Sequence, residues 1–160
     1  MEHRSVEDVE GIGIDIVEVR RVRVAVERWG ERFLGRVFTQ EEVDYCLGRR
    51  QGYGSLAGRF AVKEAVFKAV GTGWKRGVTW KDVEVVRKPG ERPDVRLSGE
   101  VKNIVKDAHV LISISHTQEH AIAVAVMTKR RDGEKCGDPN RQMSQGGDRD
   151  ADGGDRSGDD

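Results

Sequence analysis

Apolar and small residues alternate from Gly11 to Val17. Ile12, Ile14 and Ile16 share one face and Gly13, Asp15 and Val17 the other, which predicts a strand. From Val19 the spacing changes to threes and fours. Val19, Val22, Val26, Trp29, Phe33 and Val37 form the stripe of an amphipathic helix, with Trp29 and Phe33 on its core side, despite Gly30. Thr39 reads as the N-cap of a second helix, with Glu41 and Glu42 in the first turn, where the helix dipole favours acids. That helix runs to about Leu47, and a basic, glycine-containing connection spans Gly48 to Gly54. A third helix follows from about Ser55 to Val70, with no glycine after Gly58 and no proline, and Gly71 stops it.

Beyond Gly73 the pattern turns to strands. Trp80 to Arg87 and Val95 to Leu97 are joined by a turn at Pro89-Gly90, and a short helix follows near Glu100 to Lys106. Val110 to Ser115 and Ala121 to Met127 make a hairpin through His116-Thr117-Gln118-Glu119-His120. Helices early and antiparallel strands late define an α+β fold, an antiparallel sheet packed with helices.

Composition changes this picture at the C-terminus. Asp132 to Asp160 holds no Val, Ile, Leu, Phe, Trp or Tyr, so it cannot bury enough apolar surface to fold, and is expected to be a disordered tail. Its nine acids against four bases give a net charge of −5, and because the 160-residue chain sums to zero, residues 1–131 carry +5. The expected organisation is an N-terminal extension 1–9, one domain 10–131 and the tail 132–160. A basic body favours acidic partners. Cys46 in the body and Cys136 in the tail suit neither a disulfide framework nor a cysteine metal site. No apolar run is long enough to span a membrane, and the first ten residues are too charged for a signal peptide, so the expectation is a soluble cytoplasmic protein without membrane partners.

Several residues carry candidate chemistry. Asp15 lies in an otherwise apolar or glycine strand: either it faces water from an edge strand, or it serves a ligand with Gly13 leaving the backbone open beside it. The run GIGID is not the dinucleotide fingerprint, because Ile16 occupies the third glycine position. Glu64 and Lys68 share a helix face with Phe60, Ala61 and Phe67 around them. Alone this is an ordinary i,i+4 pair worth about 0.2–0.5 kcal/mol. Asp15 and Glu64 together would suit Mg2+, which takes one or two protein carboxylates and completes its shell with water and phosphate, and Lys68 would then meet phosphate oxygens. His116, at the hairpin turn, is a surface histidine or a ligand contact, whereas His3, His109 and His120 read as surface residues. Arg21, Arg28 and Arg32 line one side of the first helix, a solvated face or a dock for an acidic protein.

In combination these segments resemble the holo-acyl-carrier-protein synthases, the short type of 4′-phosphopantetheinyl transferase. The matching blocks are Gly11 to Glu18, Arg32-Phe33 through Thr39 with Glu42 and Tyr45-Cys46, and Leu56 to Gly73. Trp80 to Val85, Leu97 to Gly99 and Ser113 to Thr117 follow in family order, over roughly residues 10–128. The resemblance implies a 4′-phosphopantetheinyl transferase-like fold and transfer of the phosphopantetheine arm of coenzyme A to a serine of apo acyl carrier protein. It maps the metal-binding acids onto Asp15 and Glu64 and the helix lysine onto Lys68. Arg59, Lys63, His116 and Gly71-Thr72-Gly73 become contacts for the remaining phosphates and adenosine. The serine's proton acceptor stays open among Glu64, a water and His116. It further implies a homotrimer with sites at subunit boundaries, and docking of the acidic carrier on Arg21 and Arg28. Arg87 to Asp94 matches only loosely. The rivals are a nucleic-acid-binding module, disfavoured by aromatics set apart from the arginines, and a magnesium-dependent phosphohydrolase using the same acids.

Overall fold

The structure is a computed structural model and describes residues 9–71 and 77–129. The tail and most of the N-terminal extension, with His3, Thr72, Gly73 and Cys136, lie outside the described residues. The order is β1 (Val9–Glu18), α1 (Val19–Val37), α2 (Gln40–Leu47), α3 (Gly52–Val70), a 3-10 turn (Trp80–Asp82), β2 (Val83–Val86), β3 (Asp94–Leu97), α4 (Gly99–Val105), β4 (His109–His116) and β5 (His120–Thr128). β1, β5 and β4 form an antiparallel sheet in that spatial order, and β2 and β3 a separate two-stranded one, which makes the fold α+β as expected.

α3 lies directly on the three-stranded sheet, and small residues permit it. A Cβ on Gly13 would stand 1.8 Å from the Ala65 carbonyl oxygen, and one on Gly11 would stand 1.9 Å from that of Ala69. No side chain fits at either place. The space beside Gly13 is therefore filled by helix backbone, and the expectation that it opens the strand to a ligand is corrected. On β5, Ala121, Ala123 and Ala125 turn inward, all 1% exposed or less. Opposite them Leu56, Ala57, Ala61, Val62, Ala65 and Val66 are fully buried.

This packing reverses the usual polarity of the sheet. The larger aliphatics of β1 and β5 point outward, with Ile12, Ile14 and Ile16 at 66%, 55% and 64% exposure. Register pairs them with Val126, Val124 and Ile122 on β5, and Leu111 of β4 extends the apolar face.

The helices depart from expectation at two points. α1 breaks at Gly30, whose φ of 49° is left-handed, and the break resets the phase of the stripe. Val19, Val22, Leu34 and Val37 are buried, but Trp29 stands in solvent at 51% exposure with the Arg28 guanidinium over its ring. Aromatic and arginine are therefore not separated there, and that ground for disfavouring nucleic acid falls. α3 begins at Gly52 rather than Ser55, because Gly52 packs against the Cys46 carbonyl and Gly54 against His116, so tertiary contacts outweigh poor glycine propensity. α2 starts as expected, with a reciprocal capping box between Thr39 and Glu42. The expected strand from Trp80 to Arg87 is shorter, since Thr79 and Asp82 cap a 3-10 turn before β2. Cys46 is fully buried, and burial pushes its thiol up to about 11, so it behaves as a small apolar residue.

Gly13→Ala is expected to destabilise the protein by about 3 kcal/mol or more, because the obstacle is backbone that cannot move aside. Chemical denaturation followed by circular dichroism measures it.

Candidate active site

β1 and α3 cross so closely that three charged side chains meet at the crossing. Lys68 Nζ donates to Asp15 Oδ1 at 2.8 Å and to the Ile14 carbonyl oxygen at 2.9 Å. β1 is indeed an edge strand, but Asp15 turns toward α3 rather than water, its side chain 18% exposed. Glu64, one turn before Lys68, has no ion-pair partner within salt-bridge distance among the described residues. Burial first, then the charge of Asp15, raises its pKa above the ordinary carboxylate value, while Lys68 pulls it back.

Two carboxylates that feel each other's charge, with one ammonium bound to Asp15, form a site that a dication would relieve. Among the described residues no group of three or more His, Cys, Asp or Glu side chains is placed to hold a metal. The pair suits a hard ion that keeps water and phosphate in its shell, not zinc. Gly71 closes α3 one residue past its end in the left-handed conformation (φ 67°), its N–H donating to the Lys68 carbonyl oxygen at 3.2 Å.

The other expected site residues lie elsewhere. His116 ends β4 and rests against the first turn of α3, its Nδ1 3.5 Å from where a Gly54 Cβ would stand. Glu64 is ten residues further along the helix, about 15 Å at 1.5 Å per residue, so one chain does not unite them. Arg59 faces away from Glu64, into a cavity of about 450 Å³ between α2, α3 and the β2–β3 hairpin. The cavity is lined by Tyr45, by three carboxylates and by five cations: Arg59, Arg87, Lys88, Arg92 and Arg96. Arg59 is only 6% exposed and lies over the Tyr45 ring at 4.1 Å, with Arg49 over the same ring at 4.0 Å. Its buried Nε has no hydrogen-bond partner among the described residues, which marks the cavity as a place for an anion. The four-residue step from Tyr45 to Arg49 was the available sequence signal for Tyr45. The loose loop Arg87 to Asp94 gave none for its own cations.

Lys63 corrects the sequence expectation outright. Its side chain and that of Glu42 are both 0% exposed, with Nζ 2.9 Å from Glu42 Oε2. Lys63 also donates to the carbonyl oxygens of Trp80 and Val83. All three ammonium protons are committed within the protein, so Lys63 is not a ligand contact. Arg21 and Arg28, by contrast, line a shallow depression of about 390 Å³ on α1 with Arg20, Val24 and Trp29.

This chain belongs to the 4′-phosphopantetheinyl transferase superfamily, whose family model matches residues 11–125. It is 43% identical over 122 residues to the holo-[acyl-carrier-protein] synthase of Koribacter versatilis, covering 73% of this chain and 96% of that protein. It is 46% identical over 116 residues to that of Protochlamydia amoebophila, covering 72% and 95%. The Bacillus anthracis holo-(acyl-carrier-protein) synthase, solved in complex with CoA (3′,5′-ADP), superposes with a TM-score of 0.65 at 34% identity, over 76% of this chain and 98% of that one. The Helicobacter pylori enzyme, in complex with coenzyme A, gives the same score and identity over 72% and 98%.

Because the folded state raises the Glu64 pKa, its ionisation opposes folding of the metal-free protein once pH rises through that value. Glu64→Gln is expected to raise the thermal midpoint at neutral pH without metal, with the gain fading below the ordinary glutamate pKa. Scanning calorimetry across pH tests this.

Proposed function

We propose that this chain transfers the 4′-phosphopantetheine arm of coenzyme A to a serine of apo acyl carrier protein, releasing adenosine 3′,5′-bisphosphate, for fatty acid biosynthesis. The observation that carries the reading is the meeting of Asp15, Glu64 and Lys68 at one crossing, in a chain whose relatives bear the name of that activity. Asp15 and Glu64 would hold Mg2+, which supplies neutralisation of the pyrophosphate and polarisation of the phosphorus under attack. Lys68, half exposed and anchored at Asp15, stabilises charge on the phosphate that leaves. The serine proton goes to a carboxylate or a water at this crossing in preference to His116.

Coenzyme A carries a second anionic end at its 3′-phosphate. The Arg59 cavity suits that group, and His116 and the Gly71-Thr72-Gly73 turn are further contacts on this reading. Stations on different faces of α3 call for more than one chain, so the enzyme works as a homotrimer with each site shared across a boundary. The outward isoleucine face of β1 and β5 supports assembly, since a monomer would leave it in water. Arg21 and Arg28, flanking Val24 on α1, form the dock for the acidic carrier. The transferase domain is residues 10–131, with 1–9 and 132–160 as extensions outside the chemistry, and the protein is cytoplasmic.

Incubated with coenzyme A, Mg2+ and apo carrier protein, the enzyme should add the mass of one phosphopantetheine arm to the carrier; release of free phosphate instead would indicate hydrolysis. Asp15→Ala and Glu64→Ala should each lower transfer roughly 10³-fold with the circular dichroism spectrum intact. Near-normal turnover by either at limiting Mg2+ would overturn the metal assignment. Ile14→Lys should convert a trimer to a monomer in light scattering; an unchanged mass would remove the isoleucine face from the interface.

A further inference from the structure

A two-stranded hairpin is marginal on its own, and β2–β3 shares no ladder with the larger sheet. What fixes it is a buried ion pair. Glu42 Oε2 accepts from the Thr39 N–H at 3.0 Å and takes Lys63 at 2.9 Å, while Glu42 Oε1 accepts from the Val85 N–H at 3.0 Å. Lys63 grips the carbonyl oxygens of Trp80 and Val83, so the pair holds the 3-10 turn at one backbone point and β2 at two. A second link runs beside it. Thr39 Oγ1 donates to Glu84 Oε1 at 2.8 Å, and Glu84 Oε2 holds Arg96, its cross-strand partner, at 2.7 Å.

The residues so held, Val85 and Arg96 among them, are walls of the cavity into which Arg59 points, and Arg59 is one helical turn from Lys63 on the same side of α3. We infer that Glu42 and Lys63 are positioning residues for coenzyme A affinity: their pair sets the distance between Arg59 on α3 and the cations of the β2–β3 hairpin. This rests on the reading that the cavity receives the 3′-phosphate of coenzyme A. An apolar pair of similar volume would fill the space but could not orient carbonyls and an amide together. The carboxylates at the β1–α3 crossing are not touched by the pair, so the transfer step itself does not depend on it.

The test is the double variant Glu42→Gln/Lys63→Met, which leaves no uncompensated buried ion and keeps a capping-box residue three positions after Thr39. The expected result is a KM for coenzyme A raised about tenfold, the scale of one charge-assisted hydrogen bond, with kcat and the KM for carrier protein within about twofold. Hydrogen exchange at the Val85 amide should quicken while the β1 and β5 amides keep their protection. Unchanged KM for coenzyme A, or uniform loss of protection with kcat falling alongside, would overturn the inference. Arg59→Ala separates the two layers. If it leaves the KM for coenzyme A unchanged, the reading of the cavity fails. If it raises that KM and the double variant does not, only the positioning role fails.

Discussion

The contact on which the rest of this structure depends is backbone against backbone, where α3 meets β1 at Gly11 and Gly13. No favourable interaction at these positions is large in itself. Their importance is steric, because two absent side chains let a helix lie on a strand closely enough for Lys68 to reach both the Ile14 carbonyl and the Asp15 carboxylate. A helix held off by side chains would leave that lysine short of the strand and spare Glu64 the field of Asp15. The same proximity that packs the core sets the charge of Asp15 against that of Glu64.

Two lysines five residues apart on α3 show how burial divides roles that composition does not. Lys63 is enclosed, its proton affinity lowered by desolvation, and its three donors are spent on Glu42 and two carbonyls. Lys68 is half exposed, with one carboxylate and one carbonyl as partners. A five-residue step turns about 140° around a helix, enough to send one ammonium into the interior and the other to Asp15 at the surface.

Much of the architecture was legible in the sequence because periodicity is a direct image of local geometry. The threes and fours of α1, the capping box of Thr39 and Glu42, and the alternation of β4 and β5 needed no tertiary knowledge. Asp15 stood out as a carboxylate in an apolar strand, whereas Glu64 and Lys68 alone read as an ordinary helix pair and drew notice only beside Asp15. What stayed hidden depended on distant parts of the chain. Lys63 and Lys68 look alike until α2 and β2 are placed around one of them. Trp29 sits in a valine stripe that holds only until Gly30 turns left-handed. The cations of the β2–β3 loop gather around Arg59 only once the hairpin is anchored.

The inward alanines of β5 and the helical alanines opposite them leave little empty volume. Attempts to harden this fold by enlarging interior residues would therefore wedge the helix from the sheet and disturb the charged crossing. Tolerance to substitution along β5 should itself alternate, with methyl-sized positions fixed by clearance and the bulky ones between them governed by whatever lies outside.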